Sequence, residues 1–129
     1  MSNFGFGKTV ELGFDTAVKK VTEELAKEGF GILTVIDVQA TLKTKLDIDM
    51  PGYRILGACN PVLASQAISA QPEIGLLLPC NVLVREDEEG LVHVSFMDPA
   101  AVLGLVDDDD IEPLAEKVKQ KLESVMATL

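Results

Sequence analysis

Residues 82–96, "VLVREDEEGLVHVSF", hold two short apolar runs on either side of an acidic turn that ends in Gly90. Side chains along a strand alternate between two faces, so Val92, Val94 and Phe96 share one face while His93, Ser95 and Met97 share the other. Strand, glycine-containing turn and strand read as a β-hairpin with a loop of several residues, and a hairpin joins antiparallel neighbours. The same period of two puts Asp98 at the end of the apolar face.

Upstream, "EIGLLLPCNVLVRE" is an apolar stretch interrupted by Pro79, and "YRILGAC" (residues 53–59) reads as another strand. Asn60 and Pro61 follow it directly. An asparagine can accept from the unpaired N–H groups that open a helix, and proline suits the first helical position because it has no N–H to lose. "CNP" is therefore a strand-to-helix junction, with the helix running through "VLASQAISA" to the break at Gln71-Pro72. "FGILTVIDV" (30–38) reads as a strand with Phe30, Ile32, Thr34, Ile36 and Val38 on one face and Leu33, Val35 and Asp37 on the other. A short helix over "QATLKTKL" is expected from Leu42 and Leu46, four apart.

At the N-terminal end, "FGFGKTVEL" predicts an irregular first strand, and Phe14, Val18, Val21 and Leu25 recur at helical spacing, with Gly29 just past the end. At the other end, Ile111, Leu114, Val118, Leu122, Val125 and Leu129 form an apolar stripe on a helix over about 110–128. Strands interrupted by helices, with a late hairpin and a long last helix, predict the α+β class: one largely antiparallel sheet with helices packed on it, in a single domain over 1–129.

The charge is uneven. Residues 1–85 hold 9 acidic and 8 basic side chains, a net of −1, and residues 86–129 hold 12 acidic and 3 basic, a net of −9. No basic footprint exists to draw phosphate counterions, which argues against nucleic acid or an anionic membrane as partner. No apolar run approaches the length needed to span a bilayer, and the N-terminal stretch lacks the pattern of a signal peptide, so a cytoplasmic protein is expected. The acidic runs "REDEEG" and "DDDDIE" read as a solvated turn and a helix start, and "DDDDIE" lacks the spacing of an EF-hand.

Two cysteines are too few for a disulfide framework, and no CxxC or CxxH pair is present, so reduced thiols are expected and no cofactor is implied. Each thiol precedes an asparagine at the edge of an apolar run. Cys59 ends one strand, Cys80 begins another, and Asp98 ends a third. If those strand ends share one edge of the sheet, Cys59, Asn60, Cys80, Asn81 and Asp98 can meet in a pocket at the mouth of the core and bind a small molecule. As structure alone, the same residues read as a buried small hydrophobe, a helix cap and a turn former. Thiol chemistry needs a stabilised thiolate, for which Cys59 has a helix start beside it; the single histidine, His93, is expected on the solvent face and gives no Cys–His pair. Cys59, Cys80, Asp98 and His93 have the atom types of a zinc site, but the separations fix no geometry. Arg54 and Arg85 either meet an anionic ligand group or pair with carboxylates within the protein.

The words "KEGFGILTVIDVQATLKTKL", "YRILGACNP", "IGLLLPCNV", and "MDP" followed by "LGLV" resemble, in that order, a bacterial and archaeal family known as domain of unknown function 302, over about residues 8–106. The resemblance implies an α+β domain similar to the TATA-box-binding-protein-like fold, a homodimer and no assigned reaction, and His93 is not part of its pattern. Dimerisation is expected through the sheet edge or the last helix. The expected function is a homodimeric binding or interaction module with a ligand pocket at the Cys-Asn cluster. The alternatives are a thiol-dependent enzyme or redox sensor using Cys59 and Cys80, and a metal-binding protein.

Overall fold

The computed structural model describes residues 3–129. Five strands, β1 (Gly5–Val10), β2 (Gly31–Asp37), β3 (Tyr53–Cys59), β4 (Cys80–Glu86) and β5 (Val92–Met97), form one sheet in the order β1-β5-β4-β3-β2. All four pairings are antiparallel. Helices α1 (Phe14–Lys27), α2 (Val38–Leu46), α3 (Pro61–Ala70), α4 (Pro99–Leu103) and α5 (Ile111–Ala127) connect and follow the strands. The α+β architecture is the expected one, with the hairpin β4–β5 at its centre.

Period two sorts the sheet into a covered face and a bare one. Leu56, Ala58, Cys80, Val82, Val84, Val92, Val94 and Phe96 are buried against Ala17, Val21 and Leu25 of α1 and Val118, Leu122 and Val125 of α5. Each large side chain fully withdrawn from water here contributes about 1.5–3 kcal/mol. By register the other face carries Tyr53, Ile55, Asn81, Leu83, Arg85, His93 and Ser95, none of them buried. A second, smaller apolar cluster of Ala67, Ile74, Leu103, Ile111 and Ala115 forms where α3, α4 and α5 meet a 3-10 turn over Pro72–Leu77.

Local chemistry sets the junctions. α1 ends where Gly29 takes φ 87°, a conformation glycine adopts without steric cost, while the Phe30 N–H donates back to the Leu25 carbonyl at 2.9 Å. Asn60 caps α3 by accepting from the Leu63 N–H at 3.2 Å, and its Nδ2 donates to the Glu28 carbonyl at 3.5 Å, tying the end of α1 to the start of α3. Asn60→Ala is expected to lower stability by about 1 kcal/mol, read as a lower urea midpoint at unchanged slope. Lys8 Nζ lies 2.9 Å from the Leu129 carbonyl oxygen and 3.4 Å from that of Met126, a cation set at the carbonyl end of α5.

Three sequence expectations are corrected. β2 does not keep a strict alternation: an irregularity between Ile32 and Thr34 displaces Leu33, so Ile32 pairs with Ala58 and Val35 with Leu56 on the same face. Val38 begins α2 rather than ending the strand, because the Asp37 carboxylate accepts from the Ala40 N–H at 2.9 Å and opens a helix there. Asp98-Pro99 starts the short α4 by the same capping chemistry as Asn60-Pro61.

Candidate functional site

Where β3 ends, β4 begins and the two apolar clusters fail to mesh, a cavity of about 350 Å³ remains. Phe30 and Leu33 come from the start of β2, Leu63, Ala64, Ala67 and Ile68 from α3, and Leu103, Leu114 and Val118 from α4 and α5. Ala58, Cys59, Asn60, Gly75, Leu78, Pro79 and Cys80 complete it. No lining side chain is charged, and the one amide, Asn60, accepts from the Leu63 N–H with its oxygen and directs one N–H of Nδ2 at the Glu28 carbonyl. Burial first, and the neighbouring Cys59 second, push the Cys80 thiol up to about 11. At neutral pH Cys80 is therefore an uncharged, weakly polar wall group.

The five residues expected to cluster do not all meet. Cys59, Asn60 and Cys80 line this cavity; Asn81 and Asp98 do not. Asn81 follows Cys80 in a regular strand, so it is exposed on the bare face, beside Leu83, Ser95 and Met97. Asp98 accepts from the N–H groups of Ala100 at 2.9 Å and Ala101 at 3.4 Å, and Lys119 Nζ lies 3.3 Å away. Its carboxylate serves as a helix cap.

Arg54 pairs inside the protein, 3.4 Å from Asp37 Oδ2 and 3.9 Å from Asp15 Oδ1, with its guanidinium 5.1 Å from the centre of the Phe14 ring. Arg85 has no carboxylate within 4.0 Å among the described residues.

His93 stands on the bare face of the sheet, as expected, and its ring is engaged there. It is half-buried, with Nε2 2.7 Å from Asp87 Oδ2 and Nδ1 2.9 Å from Thr9 Oγ1, linking the hairpin turn to β1. Asp87 also accepts from the N–H groups of Glu89 at 2.9 Å and Leu91 at 3.0 Å. The His93 hydrogen bond is the main cause that holds the Asp87 carboxyl below its ordinary 3.8; burial opposes it and the two backbone donors add to it. A depressed carboxyl stabilises the fold above its unfolded pKa, and that stabilisation is lost as pH falls through the lower folded value. Asp87→Asn is thus expected to melt below the native protein at pH 7, with the gap narrowing as pH drops below 3.8. Thermal melts between pH 7 and pH 2 check this; a gap that stays constant contradicts it.

Among the described residues no three His, Cys, Asp or Glu side chains stand together as metal ligands. No helix among them is long and apolar enough to cross a membrane.

The family model for the domain of unknown function DUF302 matches residues 6–129. The chain belongs to this family. Within DUF302, the chain is similar to a solved structure described as the crystal structure of an uncharacterized conserved protein from Bacillus stearothermophilus. The two share 24% identity over 98% of each chain, with a TM-score of 0.90, which shows a common fold. No curated protein matches the chain. The DUF302 match takes in the cavity walls from Phe30 to Val118 and extends through α5.

Proposed function

We propose that this DUF302 protein is a cytoplasmic, homodimeric binding module that takes an uncharged, apolar small molecule in the cavity walled by Cys59 and Cys80. The observation that carries the reading is the lining: about 350 Å³ with no charged side chain and a single amide, Asn60, whose oxygen accepts from the Leu63 N–H as a helix cap. That volume falls at the lower end of the range of about 300–1,000 Å³ usual for small-molecule sites. Such a site gains affinity from apolar area withdrawn from water and gives an anion or cation nothing to pair with. The test is a fluorescence titration with the uncharged probe N-phenyl-1-naphthylamine. One saturable site per chain, displaced by other neutral apolar molecules and not by a naphthalene sulfonate, is the expected result; no saturable binding sinks the reading.

Thiol chemistry is the second reading, favoured by the fact that both thiols line one cavity. Against it stands Cys80, whose pKa near 11 leaves only about one thiolate in ten thousand at pH 7. Alkylation of the native protein across pH, read by mass spectrometry, separates the two. Cys80 is expected to resist until strongly alkaline conditions, whereas labelling with a midpoint well below about 8.5 would establish a reactive thiol.

A further inference from the structure

Beside the cavity lies a second, polar space, a groove bordered by Lys27, Glu28, Asn60, Leu63, Lys117 and Lys121. Asn60 and Leu63 line both. The same pieces of chain build the two. Glu28 and Gly29 border the groove, and the next residue, Phe30, lines the cavity. On α5, Leu114 and Val118 line the cavity, while Lys117 and Lys121, three residues after each, border the groove from the adjoining ridge of the helix. An apolar space and a polar one thus share a seam at Asn60 and Leu63.

The groove holds the cations of an otherwise acidic third of the chain. Residues 86–129 contain three basic side chains, Lys117, Lys119 and Lys121. Lys119 is paired with Asp98 at 3.3 Å, and Lys27, from α1, with Glu24 at 2.9 Å. Lys117 and Lys121 have no carboxylate within 4.0 Å among the described residues. With Lys27 neutralised by Glu24, these two stand against Glu28 for a net of +1 in a chain of net charge −10.

Like charges four apart on a helix repel, and a local rule broken without a partner inside the fold marks a place where function compensates. The start of α3 and the end of α1 both border the groove with opposing dipoles, so the two lysines set its sign. Asn60 adds a donor at the seam: one N–H of its Nδ2 is directed at the Glu28 carbonyl, and the other has no acceptor among the described residues.

We infer that the site takes a single-chain amphiphile, with an alkyl chain in the cavity and a terminal carboxylate in the groove between Lys117 and Lys121. The inference rests on the proposed binding role and names its ligand class. Nothing inside the cavity pairs with charge, so only the uncharged chain enters it; the carboxylate stays in the open groove, where it meets two ammonium groups. A monoanion matches a net of +1 better than a phosphate dianion does. At about 30 Å³ for a group the size of a water or a methylene, a cavity of about 350 Å³ holds a chain on the order of ten carbons. A naphthalene sulfonate carries its charge on the ring itself and has no chain to span the seam.

Displacement of N-phenyl-1-naphthylamine by decanoate, 1-decanol and decyltrimethylammonium at low ionic strength tests the assignment. Decanoate is expected to bind about five-fold tighter than decanol, and decyltrimethylammonium more weakly than decanol, with both differences shrinking as salt is added. Octanoate should bind about 15-fold more weakly than decanoate, at about four-fold for each methylene lost. In Lys117→Gln/Lys121→Gln the ratio of decanoate to decanol affinity is expected to fall to about one. Lys19→Gln/Lys45→Gln removes the same charge at exposed positions outside the groove and should keep the native ratio. Equal native affinity for decanoate and decanol, or a preference that survives Lys117→Gln/Lys121→Gln, overturns the carboxylate subsite and leaves the binding role standing. No saturable uptake of the probe by the native protein removes the binding role and the inference with it.

Discussion

Phe30→Ala is expected to cost about 3–5 kcal/mol, the largest loss of any single truncation near the cavity. Phe30 is 2% exposed, belongs to the main apolar cluster and forms part of the cavity wall at once. Its removal joins a new void to an existing one, and the α1 turn that delivers it, locked by the left-handed Gly29, leaves the backbone little room to collapse into the gap. Urea unfolding should show a midpoint lowered in proportion with the slope unchanged. Leu33→Ala, removing a side chain 65% exposed on the same wall, should cost under about 1 kcal/mol. Equal losses for the two would mean that the wall is not packed as described.

Ala64→Phe should abolish binding while leaving the fold in place. Ala64 is half-buried on α3 with its side of the helix toward the cavity, so a phenyl ring there occupies the space a ligand would use. Probe affinity is expected to fall at least about 100-fold by steric exclusion, with a stability change below about 1.5 kcal/mol because the ring enters a void rather than a packed core. Ser65→Phe, one residue on and exposed, is the control and should bind the probe as the native protein does. Binding that survives Ala64→Phe would place the site elsewhere on the molecule.

Much of the fold was legible because local rules and tertiary packing agree. The hairpin alternation in residues 82–96, the Asn60-Pro61 start of α3 and the apolar stripe of α5 each state in a few residues what the packed structure repeats. Where they were misread, a second effect overrode a period. The bulge at Leu33 breaks the strand alternation, and Asp37 caps a helix while still paired with Arg54 in the sheet. α4 carried the same Asp-Pro signal as α3 carried in Asn-Pro, and the signal could have found it.

The site was half legible. That Cys59 and Cys80 reach one cavity follows from adjacent strand ends, since Ala58 pairs with Cys80. The pleat puts Asn81 on the face opposite Cys80; the same alternation separates Cys59 from Ala58, and Cys59 lines the cavity because it is the last residue of β3, where the sheet ends. The remaining walls, from α3, α4 and α5, come from helix packing at the junction of two apolar clusters, for which no short motif exists. His93 was the instructive case. Its partners Asp87 and Thr9 lie on the hairpin turn and on a strand paired across the sheet, and only the β1–β5 register brings Thr9 opposite His93.

The central claim is that the cavity at the ends of β3 and β4 binds a neutral apolar molecule, and methyl-resolved NMR during a titration with N-phenyl-1-naphthylamine tests it most directly. The account predicts saturable shifts at Leu63, Leu103, Leu114 and Val118, with Leu91 and Leu105 unmoved. Shifts confined to Ile55 and Leu83 on the bare face of the sheet, or growing without saturation across all exposed methyls, would contradict it.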